Sequence, residues 1–254
     1  MKKIPNLFTL LNLVFGCVAI IYILQNGITA LYNPDGSQYI SMPEKTTIAS
    51  FCIGMAAVVD FLDGLVARLF KATSPMGKQL DSLADLVSFG VAPGMILYQL
   101  LRLGYSGQAD GIDVSLGWLL PALIFPCAAA YRLARFNLDE SQTYGFKGVP
   151  TPAAGILIAS LPLISWYSQN PDIAALIINK WVLYGIIVVV AWLMTSNLPL
   201  MALKFKDNTM RGNWPKLLLV GIGVVSAVVL KWVAVPVVFV FYIIVSLVAK
   251  NRTS

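Results

Sequence analysis

Eight apolar stretches, each close to the length a helix needs to cross hydrocarbon, follow one another near residues 8–25, 48–70, 78–102, 117–136, 150–167, 175–197, 215–231 and 233–249. They predict an all-α fold, a polytopic membrane helix bundle of about eight transmembrane helices. Composition agrees: 58% of residues are hydrophobic and 12% charged, with mean hydropathy +0.77, against about 25% charged in soluble chains. The longest stretches between spans, roughly 25–47 and 204–214, are too short for a second domain, so residues 1–254 read as a single integral membrane domain. Asn33-Pro34-Asp35-Gly36 reads as a turn within the first of them. Lys231 and Trp232 leave a very tight connection before Pro236, which keeps open a single re-entrant hairpin in place of the last two spans. Met1–Leu24 has two lysines before an apolar run, as a secretory leader does. Pro5, Asn6 and Asn12 interrupt it and no small-residue cleavage site follows Leu24, so it is expected to be an uncleaved first span.

Inside this apolar frame, residues 60–85 hold four aspartates and no other acid: Asp60, Asp63, Asp81 and Asp85. A carboxylate near the bilayer centre costs at least a few kcal/mol unless compensated, so an intramembrane acidic cluster points to function. At 3.6 residues per turn Asp60 and Asp63 share one helix face and Asp81 and Asp85 another. Lys71–Pro75 reads as a short polar turn, so the two faces can oppose each other across a hairpin. Gly64 and Ala67 leave room against the first face, and Arg68 is one turn beyond Gly64, within reach of a phosphate.

An all-carboxylate set suits hard cations, Mg²⁺ or Mn²⁺, rather than zinc. The chain has no histidine, which removes histidine bases, histidine phospho-carriers and the common zinc sites and leaves carboxylates as proton acceptors. Metals shared between carboxylates recur in phosphoryl chemistry, where they offset charge on attacking and leaving oxygens.

The complete pattern Asp60-x2-Asp63-Gly64-x2-Ala67-Arg68-x8-Gly77-x3-Asp81-x3-Asp85 resembles the signature of the CDP-alcohol phosphatidyltransferases, membrane enzymes that displace CMP from a CDP-linked lipid with an alcohol. Ile4–Asn12, Asp81–Pro93, Tyr131–Asn137 and Gly148–Pro152 are similar to the phosphatidylserine synthase branch, and the resemblance covers roughly residues 4–210. It implies a six-helix catalytic core followed by two C-terminal helices. It implies that Asp60, Asp63, Asp81 and Asp85 hold two divalent cations, Mg²⁺ or Mn²⁺, on the pyrophosphate of CDP-diacylglycerol, with Asp85 also the general base. Gly64, Ala67, Arg68, Ser74 and Gly77 would shape the CDP pocket, with Asn6, Thr9 and Asn12 at its border. Gly77 near a helix start brings free backbone amides toward an anion. A homodimer is implied as well.

Acceptor choice is a separate matter, since the signature handles CDP and metal. L-serine carries a carboxylate, so cations are expected around it. Arg132 and Arg135, at i and i+3, are candidates, with Lys147 nearby. Inositol phosphate and glycerol 3-phosphate remain competing acceptors. A transporter with buried aspartates is the alternative of another class, though it does not explain Gly64, Ala67, Arg68 and Gly77 at these positions.

With the amino terminus in the cytoplasm, fourteen of the eighteen Lys and Arg residues fall at or near the inner side, and Lys45, Arg102, Lys180 and Lys231 fall outside. The positive-inside rule therefore predicts a cytoplasmic amino terminus and active site, in the cell membrane. The same bias accounts for the net charge of +6 through topology and contacts with anionic membrane lipids, and no nucleic-acid partner is expected. Cys17, Cys52 and Cys127 lack metal-ligand spacing and are expected to be inert packing thiols.

Overall fold

A computed structural model of the chain describes residues 4–25, 30–32, 38–40, 43–69, 74–106, 114–138, 146–168, 170–201 and 210–250, with the side chains of 4–5, 30–32, 38–40, 67–68, 146, 210–217 and 249–250 excepted. All eight apolar stretches are helical where described. They form α1 (Ile4–Leu24), α2 (Glu44–Leu69), α3 (Pro75–Asp85), α4 (Ala92–Ser106), α5 (Leu116–Leu119), α6 (Ile124–Leu138), α7 (Thr151–Tyr167), α8 (Pro171–Ile178), α9 (Lys180–Thr195), α10 (Met210–Leu230) and α11 (Ala234–Lys250). A π-helix, Leu86–Val91, joins α3 to α4, and a 3₁₀ turn, Leu120–Leu123, joins α5 to α6. Between α1 and α2, β1 (Ala30–Tyr32) pairs antiparallel with β2 (Gln38–Ile40), where the sequence reads only as loop. The Asn33–Gly36 turn and Lys71–Thr73 lie outside the described residues.

Among the described residues, five helical runs are long and apolar enough to cross a membrane, six if α8 and α9, bent by 62°, form one span. The break falls at Asn179, which caps α9 by accepting from the amides of Trp181 and Val182. The fifth apolar stretch, α7, is a shorter helix containing Pro162. At the C-terminal end a Cβ on Gly223 would stand 4.0 Å from the side chain of Val238, although fifteen residues of straight helix span about 22 Å. The chain therefore folds back at Lys231–Val233, where Lys231 takes a positive φ of 50°, and α10 and α11 pack as a hairpin.

The centre of the bundle is the run from α3 to α4. In the apolar 18-residue window of the 75–106 run 67% of residues are buried, against 11% in that of the 218–248 run. Phe89, Ile96, Leu97, Leu100 and Leu101 are fully enclosed, with Phe125, Ile158, Leu183 and Ile187 closing around them from α6, α7 and α9. The π-helix is gripped from two sides. A Cβ on Gly16 would fall 2.8 Å from the Cα of Ser88, and one on Gly155 would fall 2.8 Å from the carbonyl oxygen of Phe89, so α1 and α7 approach as closely as glycine alone permits.

Contacts sort the helix ends into two sets. At one end Lys78 Nζ donates to Asn137 O and Arg135 donates to Thr195 O. There β3 (Phe146–Lys147) pairs with β4 (Pro199–Leu200), and Gly148 turns the chain with φ +77°. At the other end Lys45 donates to Gln25, Arg102 to Gln99, and Lys180 lies 4.5 Å from the centre of the Tyr105 ring. Lys231 belongs to that end too, since its neighbour Trp232 packs on Phe51 and Tyr167. The cations with these contacts thus fall into two groups at opposite ends of the bundle. Cys17 and Cys127 are exposed on the bundle surface and Cys52 is half-buried, so the first two are not packed inside as expected: their positions on α1 and α6 face away from the core.

Candidate active site

Two helix ends bring the acids together. Asp60 and Asp63 sit in the last turns of α2. Ser74 starts α3 by accepting the Gly77 amide at 3.0 Å, and Pro75 follows at the first helical position, where its missing N–H is not needed. α3 then carries Asp81 and Asp85 inward on consecutive turns. Carboxylate oxygens of Asp60, Asp81 and Asp85 lie within 4.8 Å of one another. Asp85, just before the π-helix, is 7% exposed, a setting in which such local distortions often serve function.

Asp63 is placed beside this group, not in it. It is buried, interacts electrostatically with Asp60 and Asp81, and accepts a hydrogen bond from the Thr9 hydroxyl on one oxygen. Its other oxygen, Oδ1, is buried with no hydrogen-bond partner. The set is all oxygen, crowded with like charge, and leaves a buried carboxylate oxygen unsatisfied; these residues fit a hard divalent cation.

α1 supplies the hydrogen bonds. Asn12, fully buried, donates from Nδ2 to Asp85 Oδ1 at 3.2 Å, and its backbone carbonyl accepts from Ser88 Oγ at 3.0 Å. Thr9 and Asn12, expected at the border of a nucleotide pocket, are instead turned onto the carboxylates. Asn6 is closer to that expectation: its Oδ1 would be 3.3 Å from a Cβ on Gly77, beside Ser74. Gly64 is exposed, next to Asp63, whereas the side chains of Ala67 and Arg68 lie outside the described residues.

The three acceptor candidates separate. Arg132 is 7% exposed, donates from Nη1 to Thr151 Oγ1 at 3.1 Å, and is close enough to Asp85 to interact electrostatically. Its Nε is buried without a partner. Arg135 turns the other way: it is bound to Thr195 O and Asn197 Oδ1 and lines an outward groove with Tyr131, Ala134 and Leu138. Lys147 is exposed on β3.

Several residues at the site carried no role in the sequence reading. Asn137 donates from Nδ2 to Ser82 Oγ at 2.8 Å, tying the end of α6 to α3 next to Asp81. The Phe136 ring lies 5.5 Å from Arg132 Cζ and 5.9 Å from Lys78 Nζ. Asn137 and Phe136 fall inside the Tyr131–Asn137 segment, so the signal for them was a resemblance of sequence without a chemical pattern to interpret it.

Comparison with known proteins matches residues 2–202 to the CDP-alcohol phosphatidyltransferase family model. The match ends before α10 and α11. The chain is 33% identical over 189 residues to the CDP-diacylglycerol–serine O-phosphatidyltransferase of Helicobacter pylori, covering 73% of this chain and 68% of the relative. It is 32% identical over 176 residues to that of Bacillus subtilis, covering 69% and 82%, and 33% identical over 175 residues to that of Methanocaldococcus jannaschii, covering 68% of each. The family match takes in both the helices that carry the four aspartates and the α1 residues that hold them: this chain belongs to the CDP-alcohol phosphatidyltransferase family.

Proposed function

We propose that the protein transfers the phosphatidyl group of CDP-diacylglycerol to the hydroxyl of L-serine, giving phosphatidylserine and CMP. The observation that carries this reading is the convergence of Asp60, Asp81 and Asp85 oxygens within 4.8 Å inside a membrane bundle, in a chain whose relatives bear that activity in their names.

Asp60, Asp63, Asp81 and Asp85 would hold two divalent cations, Mg²⁺ or Mn²⁺, which when bound offset charge on the pyrophosphate and on the attacking and leaving oxygens. Thr9 and Asn12 orient the carboxylates of Asp63 and Asp85. Asn6, Ser74 and Gly77, clustered at the start of α3, border the CDP group together with Gly64, Ala67 and Arg68. Asp85 accepts the proton of the serine hydroxyl as that oxygen bonds to the β-phosphorus. The bond from the β-phosphorus to the bridging oxygen breaks, and that oxygen leaves on CMP. Arg132, buried beside Asp85, faces the serine carboxylate. Arg135 is bound to Thr195 O and Asn197 Oδ1 and Lys147 is exposed, so we assign the carboxylate to Arg132.

The active site opens at the end of the bundle carrying Lys78, Arg135 and Lys147, which we place in the cytoplasm with the amino terminus, where serine enters and CMP leaves. The protein acts as a homodimer. Purified protein in mixed micelles with CDP-diacylglycerol, Mn²⁺ or Mg²⁺ and labelled serine tests the reading. Metal-dependent phosphatidylserine and equimolar CMP are expected, lost in Asp85→Asn. CMP release with glycerol 3-phosphate or inositol phosphate and none with serine overturns the acceptor and keeps the family chemistry.

A further inference from the structure

Between α3 and α6 the structure leaves two buried polar atoms without partners, and they are of opposite kind. Arg132 Nε is a donor and Asn137 Oδ1 an acceptor. The amide orientation of Asn137 follows from its neighbour. The Ser82 hydroxyl donates to Lys78 O at 3.2 Å, so it can only accept from Asn137, whose NH₂ must face it and whose oxygen must point away. Burying a polar atom without a partner is unfavourable by about 1–3 kcal/mol. Native proteins rarely keep such atoms unless a ligand or water meets them.

Both residues reach α3, Asn137 at Ser82 and Arg132 at Asp85, so α3 and α6 run antiparallel here. Ser82 and Asp85 are about 4.5 Å apart along their helix and Arg132 and Asn137 about 7.5 Å along theirs. The Phe136 ring lies beside both Arg132 and Lys78.

We infer that α3 and α6 together recognise the acceptor as a zwitterion: Arg132 Nε binds the carboxylate and Asn137 Oδ1 binds the α-ammonium of an amino acid whose hydroxyl reaches Asp85. The inference rests on the reading of the chain as a transferase to serine and adds the residue that reads the amino group. Lys78, exposed on α3 and held by Asn137 O, makes the approach cationic. It draws in a carboxylate and repels an amino alcohol that lacks one. Anionic acceptors without an amino group are drawn in too but set an oxygen against Asn137 Oδ1. A site that presents a buried hydrogen-bonding atom rejects analogues that leave it unpaired.

The test compares three acceptors by kcat/KM: L-serine, 3-hydroxypropionate, which lacks the ammonium, and ethanolamine, which lacks the carboxylate. The wild-type enzyme prefers serine over both. Asn137→Leu lowers kcat/KM for serine about 10- to 100-fold, the range for a lost hydrogen bond to a charged group. It leaves 3-hydroxypropionate no worse, so that preference collapses. Asn137→Asp, which sets a carboxylate against the ammonium, keeps or strengthens the preference for serine and carries the test if the leucine variant does not fold. Arg132→Lys, which removes Nε but keeps the charge, narrows the preference over ethanolamine. Parallel loss for serine and 3-hydroxypropionate in both Asn137 variants would overturn the inference, leaving Asn137 as a tie between helices while serine transfer stands. A wild-type enzyme that ignores serine and uses another alcohol overturns both readings.

Discussion

Replacing Gly16 by alanine changes no atom of the site, yet it should disable it. The new methyl group would fall 2.4 Å from Ser88 Oγ, 2.8 Å from Ser88 Cα and 3.0 Å from Ser88 Cβ. Carbon atoms pack at about 3.5–4.0 Å, so α1 must back away from the π-helix by roughly 1 Å. The hydroxyl can rotate but the Cα belongs to the backbone of a gripped segment and cannot. Asn12 is one turn before Gly16, and its 3.2 Å bond to Asp85 is already long; a further 1 Å takes it past hydrogen-bonding distance. Thr9, a further turn away, withdraws from Asp63 in the same motion. A 1 Å misplacement at reacting groups lowers turnover by about a hundredfold, and the overpacking destabilises by about 1–3 kcal/mol. Serine incorporation into lipid reads the first and thermal unfolding in detergent the second, with Gly185→Ala, which meets nothing within 4 Å, as control. Adding Ser88→Gly to Gly16→Ala removes the clashes with Oγ and Cβ but leaves the backbone of residue 88 in the way, so activity should stay low. Activity of Gly16→Ala within about twofold of wild type, or full rescue by Ser88→Gly, would refute the claim that α1 reaches the carboxylates through this close approach.

Thr9→Val keeps the shape of the side chain but removes the hydroxyl bound to Asp63; activity should fall about tenfold and the divalent cation needed for half-maximal rate should rise, while Thr9→Ser preserves both. Chelation should lower the unfolding midpoint as well as stop the reaction, because carboxylates within 4.8 Å of each other repel by about 3 kcal/mol per ionised pair at an effective dielectric constant near 20; restoring Mn²⁺ or Mg²⁺ should restore the midpoint. Gly148→Ala combines a positive φ with a methyl group 2.5 Å from Met194 O and 2.9 Å from Ser196 O. Unfolding measurements should show a loss of about 1–3 kcal/mol.

What the sequence made legible was whatever depends on helical period and hydrophobic length. The eight apolar helical stretches follow from length alone, and the approach of Asp60, Asp81 and Asp85 follows from two i, i+3/i+4 pairs joined by a short turn. Asp63 escaped the same logic because period places a residue on a face without saying which neighbour meets it, and the neighbour was Thr9. Arg132 and Arg135 look equivalent at i and i+3, yet one turns toward Asp85 and the other toward Thr195 and Asn197. The difference is set by α9, a non-local partner. The π-helix had no signature either: Leu86–Val91 reads as part of a continuous helical span, and Gly16 and Gly155 approach it closely from two sides. The C-terminal hairpin was readable as a tight connection, but its direction depends on Lys231 adopting a positive φ.

The helices around the acids divide the work in the way a membrane interior demands. α2 and α3 bring carboxylates, whose charge must survive if a cation is to be held. α1 answers them with neutral donors, Thr9 and Asn12, which satisfy one oxygen each of Asp63 and Asp85 and leave the charge in place. A lysine at either position would stabilise the apo bundle better, by pairing, and would for that reason compete with the divalent cation. The cation that does approach, Arg132, is set against Asp85 from α6 and anchored to Thr151. Among the described side chains one guanidinium stands against four carboxylates, so the described cluster is not a closed salt-bridge network. Neutral hydrogen bonds hold the carboxylates in place without cancelling their charge, an arrangement that fits a hard cation.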